Sequence, residues 1–192
     1  MPFSELAVFG ETDGDVDPGK RIPAGETGII ATRGPNVADG YSEASRNPGT
    51  FLPEGWLVTG DLGSIDETGR LFITGRKKDV IIRSAHNIDP QMIEDALLAH
   101  PKVETAAAVG MPDAYAGELP MAFIVTRDQW APDQQELLSF LAERIEDPLA
   151  IPKRIHVIDE MPMTPVGKIF KPALRSEAIR AALDLALGDL AR

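Results

Sequence analysis

The texture of the chain breaks at residues 76–78, and that break constrains the fold more than any other feature. Arg76-Lys77-Lys78 is a basic triplet in a protein whose net charge is −11. Before it, short apolar runs alternate with Gly-, Pro- and Ser-rich stretches, the pattern of strands and turns. GIIATRG (28–34) reads as a strand and GPNVADGYSEASRNPGTFLPEG (34–55) as loop. LVTGDLGSIDETGRLFITG (57–75) reads as a hairpin with Glu67-Thr68-Gly69-Arg70 as its turn.

Beyond the break, helical periodicity enters. KKDVIIRSAHNIDP holds one short β-branched strand that ends at a proline. In PQMIEDALLAH (90–100), Met92, Ile93, Ala96 and Leu97 recur at helical spacing. Pro90 suits the first turn, and Asp89 is placed to cap it. VETAAAVG (103–110) and LPMAFIVT (119–126) read as strands, PDQQELLSFLAERI (132–145) as an amphipathic helix with Asp133 in its first turn, IHVID (155–159) as a strand, and 172–191 as a last helix. That order is a compact α+β unit of about 100 residues. The boundary falls between Gly75 and Asp79, dividing the chain into 1–77 and 78–192.

Composition excludes several classes of function. The acidic surface repels nucleic acid and anionic membranes, so an anionic ligand must be met by a few placed cations. There is no cysteine, hence no disulfide, thiolate metal site or cysteine nucleophile. No run of about 18 apolar residues predicts a membrane span. The N-terminus lacks the basic start and apolar core of a signal peptide, so a cytoplasmic location is expected. The abrupt entry into strand-like residues suggests a piece of something longer.

Several motifs are decoys. GDVDPGKR (14–21) fits seven positions of a phosphate-binding Walker loop, but Arg21 stands where Ser or Thr is needed, and it reads as a surface turn. There is no G-x-S-x-G elbow. His86, His100 and His156 lack metal-ligand spacing and read as surface or packing residues.

Three others point to chemistry. TGD (59–61) puts an aspartate in a tight turn after a strand, where a carboxylate can accept two bonds from adjacent hydroxyls, as on a ribose. GRKKD (75–79) supplies a guanidinium for a ribose or phosphate oxygen. MPMTPVGKIFK (161–171) restricts a loop with two prolines and a glycine, delivering Lys168 to one place. Taken singly, such features are most often a capped turn, a solvated face and an ordinary loop.

In this order they resemble the adenylate-forming superfamily of acyl-CoA synthetases, peptide-synthetase adenylation domains and luciferases. GETGIIATRGPNVADGY is similar to that family's G-E-x-G-x-I-x-x-x-G-x-x-x-x-x-G-Y stretch, with Gly25, Glu26, Gly28, Gly34, Gly40 and Tyr41 in register. The resemblance covers nearly the whole chain. It implies that 1–77 is the β-rich tail of a large domain and 78–192 the small mobile C-terminal α+β domain. By motif match, Asp61 would hold the adenosine ribose, Arg76 would contact ribose or phosphate, and Lys78 would be the hinge. Lys168 would bridge the carboxylate substrate and the α-phosphate. Domain alternation about the hinge would then bring the loop of Ser84, Ala85 and His86 to the incoming thiol.

There are departures. The family often has Gly-Gly where Ser84-Ala85 stands, and an aromatic residue where Leu57 stands. No Ser/Thr/Gly-rich phosphate loop is present in these residues, so the chain alone is not expected to bind ATP productively. Isolated, residues 1–75 are expected to be poorly packed, with partner strands on another domain. The implied activity is an ATP-dependent acyl-CoA ligase acting on a fatty or other apolar acid, with ATP, Mg2+ and CoA serving the complete enzyme. The alternatives are a non-catalytic truncated module with a binding or interaction role, and part of an adenylation enzyme serving a carrier protein; a missing large domain supplied in trans would complete the site.

Overall fold

The structure is a computed structural model and describes residues 4–190. The chain divides into two compact units, with the division falling between Lys78 and Asp79.

The first unit is one antiparallel sheet. Strands β1 (Glu5–Thr12), β2 (Asp15–Arg21), β3 (Gly28–Arg33), β4 (Phe51–Leu52) and β5 (Trp56–Ile65) lie in the order β2-β1-β3-β5-β4. Strand β6 (Leu71–Arg76) also pairs with β5. Ala7, Phe9, Ala31 and Trp56 form a small buried cluster in which Phe9 meets Trp56 edge to face at 5.3 Å. The strands therefore find partners among themselves, contrary to the expectation of poor packing. The Walker-like GDVDPGKR is corrected too: most of it forms β2, and Lys20 Nζ donates to the Glu11 carbonyl at 3.1 Å.

The second unit has a five-stranded sheet between helices. After Ile81–Arg83 (β7) and His86–Ile88 (β8), helix α1 spans Pro90–Leu98. Asp89 caps it by accepting the Gln91 amide at 2.9 Å. Strands β9 (Val103–Asp113) and β10 (Gly117–Thr126) form a long hairpin. Helix α2 (Gln134–Ala142) is shorter at both ends than its sequence pattern predicts: Asp133 is its N-cap and accepts the Gln135 amide, and Glu143 is its C-cap. Strand β11 (Arg154–Val157) pairs parallel to β10, and helix α3 (Lys171–Leu190) follows.

The period of two along β9 and β10 builds two cores. Ala106, Ala108, Ala122 and Ile124 face Ile93 and Leu97 of α1 and Leu137 and Leu141 of α2. Ala107, Val109, Met121 and Phe123 face Leu174 and Ala178 of α3. Each large side chain fully buried here contributes about 1.5–3 kcal/mol of transfer free energy. The run of alanines keeps the sheet surface low where helices approach.

The segment 81–88 differs from the sequence reading. It is two strands, not one, joined by the two-residue turn Ser84-Ala85. Both turn residues have positive φ, 48° and 65°, the geometry of the tight hairpin turn that favours Asn-Gly or Gly-Gly. Here Ser and Ala carry it.

Candidate active site

Asp61 and Arg76 sit opposite each other in the β5–β6 ladder, and Arg76 Nε lies 2.8 Å from Asp61 Oδ1. The TGD segment is not a turn after a strand. It is a bulge inside β5, where register with β3 shifts and Gly60 takes φ 76°. Thr59 fixes the bulge. Its hydroxyl donates to the Ile30 carbonyl at 2.8 Å and accepts the Asp61 amide at 3.0 Å. The bulge re-aims Asp61, and Arg76 holds one of its oxygens.

Lys77 pairs with Glu11 and donates to the Gly14 carbonyl at 2.8 Å. Lys78 lies in the 3-10 turn Lys77–Asp79, within which the division between the two units falls. On the other side of that division, Asp79 Oδ1 accepts Arg175 Nη2 at 2.6 Å.

The Ser84-Ala85 turn is held from several sides. The Ser84 amide donates to the Ala116 carbonyl at 2.7 Å, and the Ile82 amide to Glu118 Oε2 at 2.8 Å. Arg83 Nη1 donates to the Leu149 carbonyl at 2.6 Å, while His86 Nε2 meets Asp147 Oδ2 at 2.7 Å. These bonds over-determine a conformation that neither residue would choose alone. The Leu149 amide, then the His86 ring, hold the Asp147 carboxyl below the usual carboxylate range. His86 is thus a fastening of this hairpin. His100 is a core residue, stacked on Trp130 at 4.7 Å.

Lys168 stands on a small hairpin. Met163 and Ile169 pair as an isolated bridge. The Thr164 amide donates to the Lys168 carbonyl at 2.7 Å, and the Gly167 amide to the Thr164 carbonyl at 2.9 Å. Gly167 takes φ 77°, and Pro165 starts the turn. Residues 66–70 repeat the construction. The Asp66 amide donates to the Arg70 carbonyl, the Gly69 amide donates to the Asp66 carbonyl, and Gly69 has φ 82°. In both turns the first side chain accepts the amide of the fifth residue: Asp66 from Arg70 at 2.9 Å, Thr164 from Lys168 at 3.1 Å. The difference is charge. Asp66 also binds the Arg70 guanidinium, whereas Thr164 offers Lys168 no carboxylate. Among the described residues, no acidic group lies within salt-bridge distance of Lys168 Nζ, and exposed Met163, Val166 and Phe170 surround it in sequence.

The sequence reading missed Glu94 and Lys171. Lys171 Nζ lies 2.8 Å from Glu94 Oε1, and that oxygen also accepts the Ala108 amide at 2.8 Å. The signal was available: Glu94 occupies an inward position of α1 beside Pro90, Ile93 and Leu97, where a carboxylate requires a partner. No cluster of three or more His, Asp or Glu among the described residues is placed to hold a metal ion.

A family model described as the AMP-binding enzyme C-terminal domain matches residues 92–168. The chain is 46% identical to marinolic acid–CoA ligase of Pseudoalteromonas sp. (strain SANK 73390), over 93% of this chain and 27% of that protein. It is 40% identical to 2,3-dihydroxybenzoate-AMP ligase of Bacillus subtilis (strain 168), over 95% of this chain and 32% of that one. Among solved structures, ATP-bound MatB from Rhodopseudomonas palustris matches with a TM-score of 0.86 at 31% identity, over 95% of this chain and 35% of that chain. The chain spans about a third of the length of the relatives it matches. Residues 92–168 thus belong to the AMP-binding enzyme C-terminal domain family, and over nearly its whole length the chain is similar to adenylate-forming ligases.

Proposed function

We propose that these residues serve an acyl-CoA ligase that activates a carboxylic acid with ATP and passes the acyl group to CoA. In this reading the acid is fatty or otherwise apolar, and the setting is cytoplasmic. Residues 1–77 are the tail of the large domain, and 78–192 are the mobile domain, with Lys78 as pivot. One observation carries the reading. Lys168 is delivered by a braced hairpin with its ammonium unquenched, while Lys77 and Lys171 are paired with carboxylates.

The chemistry requires such a cation. A carboxylate oxygen attacks the α-phosphorus of ATP. The bond from phosphorus to the bridging oxygen breaks, and pyrophosphate leaves with its electron pair. Both reactants are anions, so an ammonium touching both reduces their repulsion and stabilises the transition state. One preorganised contact of this kind is worth about 10²–10³ in rate. The Asp61 carboxylate accepts from the ribose hydroxyls, and Arg76 contacts ribose or phosphate. Mg2+ bound to the nucleotide phosphates would offset their charge. The thiol of CoA then gives up its proton to solvent as its sulfur attacks the acyl carbon, and AMP leaves with the electron pair of the broken acyl C–O bond. For that step the Ser84-Ala85 turn shapes the approach.

The test is Lys168→Ala in the native polypeptide that carries these residues. Pyrophosphate exchange should fall about 10²–10³-fold, while thioester formation from a supplied acyl-adenylate is largely spared. Equal loss of both half-reactions would sink the role given to Lys168.

A further inference from the structure

We infer that Lys171, clamped on Glu94, is a positioning residue that fixes where Lys168 stands. The inference rests on the reading proposed above for Lys168.

Lys171 is the first residue of α3 and follows Lys168 by three positions. Its side chain is 18% exposed and that of Glu94 is 9% exposed, so this is an interior ion pair. It joins three elements at one point, because Glu94 Oε1 binds Lys171 from α3 and the Ala108 amide from β9 while belonging to α1. The electrostatic field of Lys171 also reaches Asp89, the cap of α1. The Lys168 hairpin has two feet. At one, Met161 is buried against the α3 face of the sheet. At the other, the Phe170 amide donates to the Pro162 carbonyl at 2.8 Å, directly before Lys171.

A well-packed apolar pair would join α3 to α1 at least as stably as a buried ion pair. What the charged pair adds is a fixed distance and direction at the foot of an exposed hairpin. A group that must meet two anions needs that, since a misplacement of about 1 Å can cost about 10²-fold in rate.

Two variants test this, K171M and E94Q, with K171R as the conservative control. E94Q keeps an acceptor for the Ala108 amide, so it carries the test if K171M does not fold. In the 192-residue chain, amide exchange is read at Gly167, Lys168 and Phe170, with Ala107 and Phe123 of the β9–β10 ladder as reference. Exchange at the three hairpin amides is expected to rise about tenfold or more, with the reference amides unchanged and K171R close to wild type. Unchanged hairpin exchange, or an equal rise at the reference amides, overturns the positioning role. In the native polypeptide, the same variants are expected to lower kcat for adenylation by about 10–10²-fold with KM for ATP nearly constant. Transfer from a supplied acyl-adenylate should be preserved. A rise in KM alone also overturns the inference. If the wild-type polypeptide adenylates no acid, the proposed function fails, while the exchange measurement still decides what positions the hairpin.

Discussion

Thr164 accepts the backbone amide of Lys168 on its hydroxyl at 3.1 Å, and among the described residues no carboxylate pairs with the lysine's ammonium. Asp66 performs the same backbone task for Arg70 and neutralises it. The two turns thus form an internal control. Replacing Thr164 by Asp should keep the hairpin, because Asx and Ser/Thr side chains cap such turns alike. It should also quench Lys168. Under the proposed function, adenylation by the native polypeptide is expected to fall by about tenfold or more, toward the 10²–10³ of a lost electrostatic contact, while the melting temperature barely moves. Full activity in T164D, measured by pyrophosphate exchange, would show that the free charge is not what the turn provides.

Arg76 and Asp61 form a half-exposed pair, and such pairs add only about 0.2–1 kcal/mol to stability. Arg76→Gln should therefore change the urea midpoint of the chain very little. If the pair orients Asp61 toward a nucleotide, the same change should raise KM for ATP about tenfold. A large loss of stability with unaltered KM would assign the pair to folding alone.

The turn at Ser84-Ala85 holds two residues at positive φ. An L-residue there costs about 1–2 kcal/mol, which glycine avoids. Ala85→Gly should stabilise the chain by about 1 kcal/mol in equilibrium unfolding. A destabilised variant would mean the backbone is not in the left-handed region.

Asp147 and Asp89 should titrate with opposite effects on stability. Asp147 is held low by the Leu149 amide and then by His86. Its stabilisation is present above the ordinary carboxylate pKa of about 3.9 and is lost as pH falls through the depressed folded value. Asp89 is raised by burial, against the Gln91 amide and the charge of Lys171. Its contribution is present below about pH 3.9 and is lost as pH rises through the raised folded value. Asp89→Asn should therefore gain relative stability as pH rises from 3 to 7, a window set from these ordinary values. Asp147→Asn should lose relative stability over the same range. Unfolding curves at several pH values check both signs, and parallel pH profiles for the two variants would contradict the assignment.

Much of this was legible wherever local chemistry decides structure. Asp89 and Pro90 mark the start of α1, and the apolar spacing of Ile93 and Leu97 marks its face. Glu67–Arg70 marks the β5–β6 hairpin because its own residues carry the turn signal. What escaped was settled by neighbours. Ser84-Ala85 gives no turn signal; the β7–β8 ladder and the bonds to Ala116, Glu118, Leu149 and Asp147 hold it. TGD resembles a turn because a bulge uses the same residues, and the partner strand β3 makes the difference. The bond between Glu94 and Lys171 joins positions far apart in the chain, and only the inward placement of Glu94 announces it.

The arrangement around β10 has a consequence for how the second unit assembles. Its pairing with β9 closes a short loop and can form early, whereas β11 joins only after the α2 segment has been spanned. Non-local and parallel pairings of this kind are slow. Until Arg154–Val157 arrives, the edge of β10 at Met121–Ile124 stands open, lined by some of the most apolar residues of the chain. A nascent or refolding chain is therefore most prone to self-association at this edge. The closing strand β11 acts as an internal guard, and shortening the connection that delivers it would lower the yield of soluble protein.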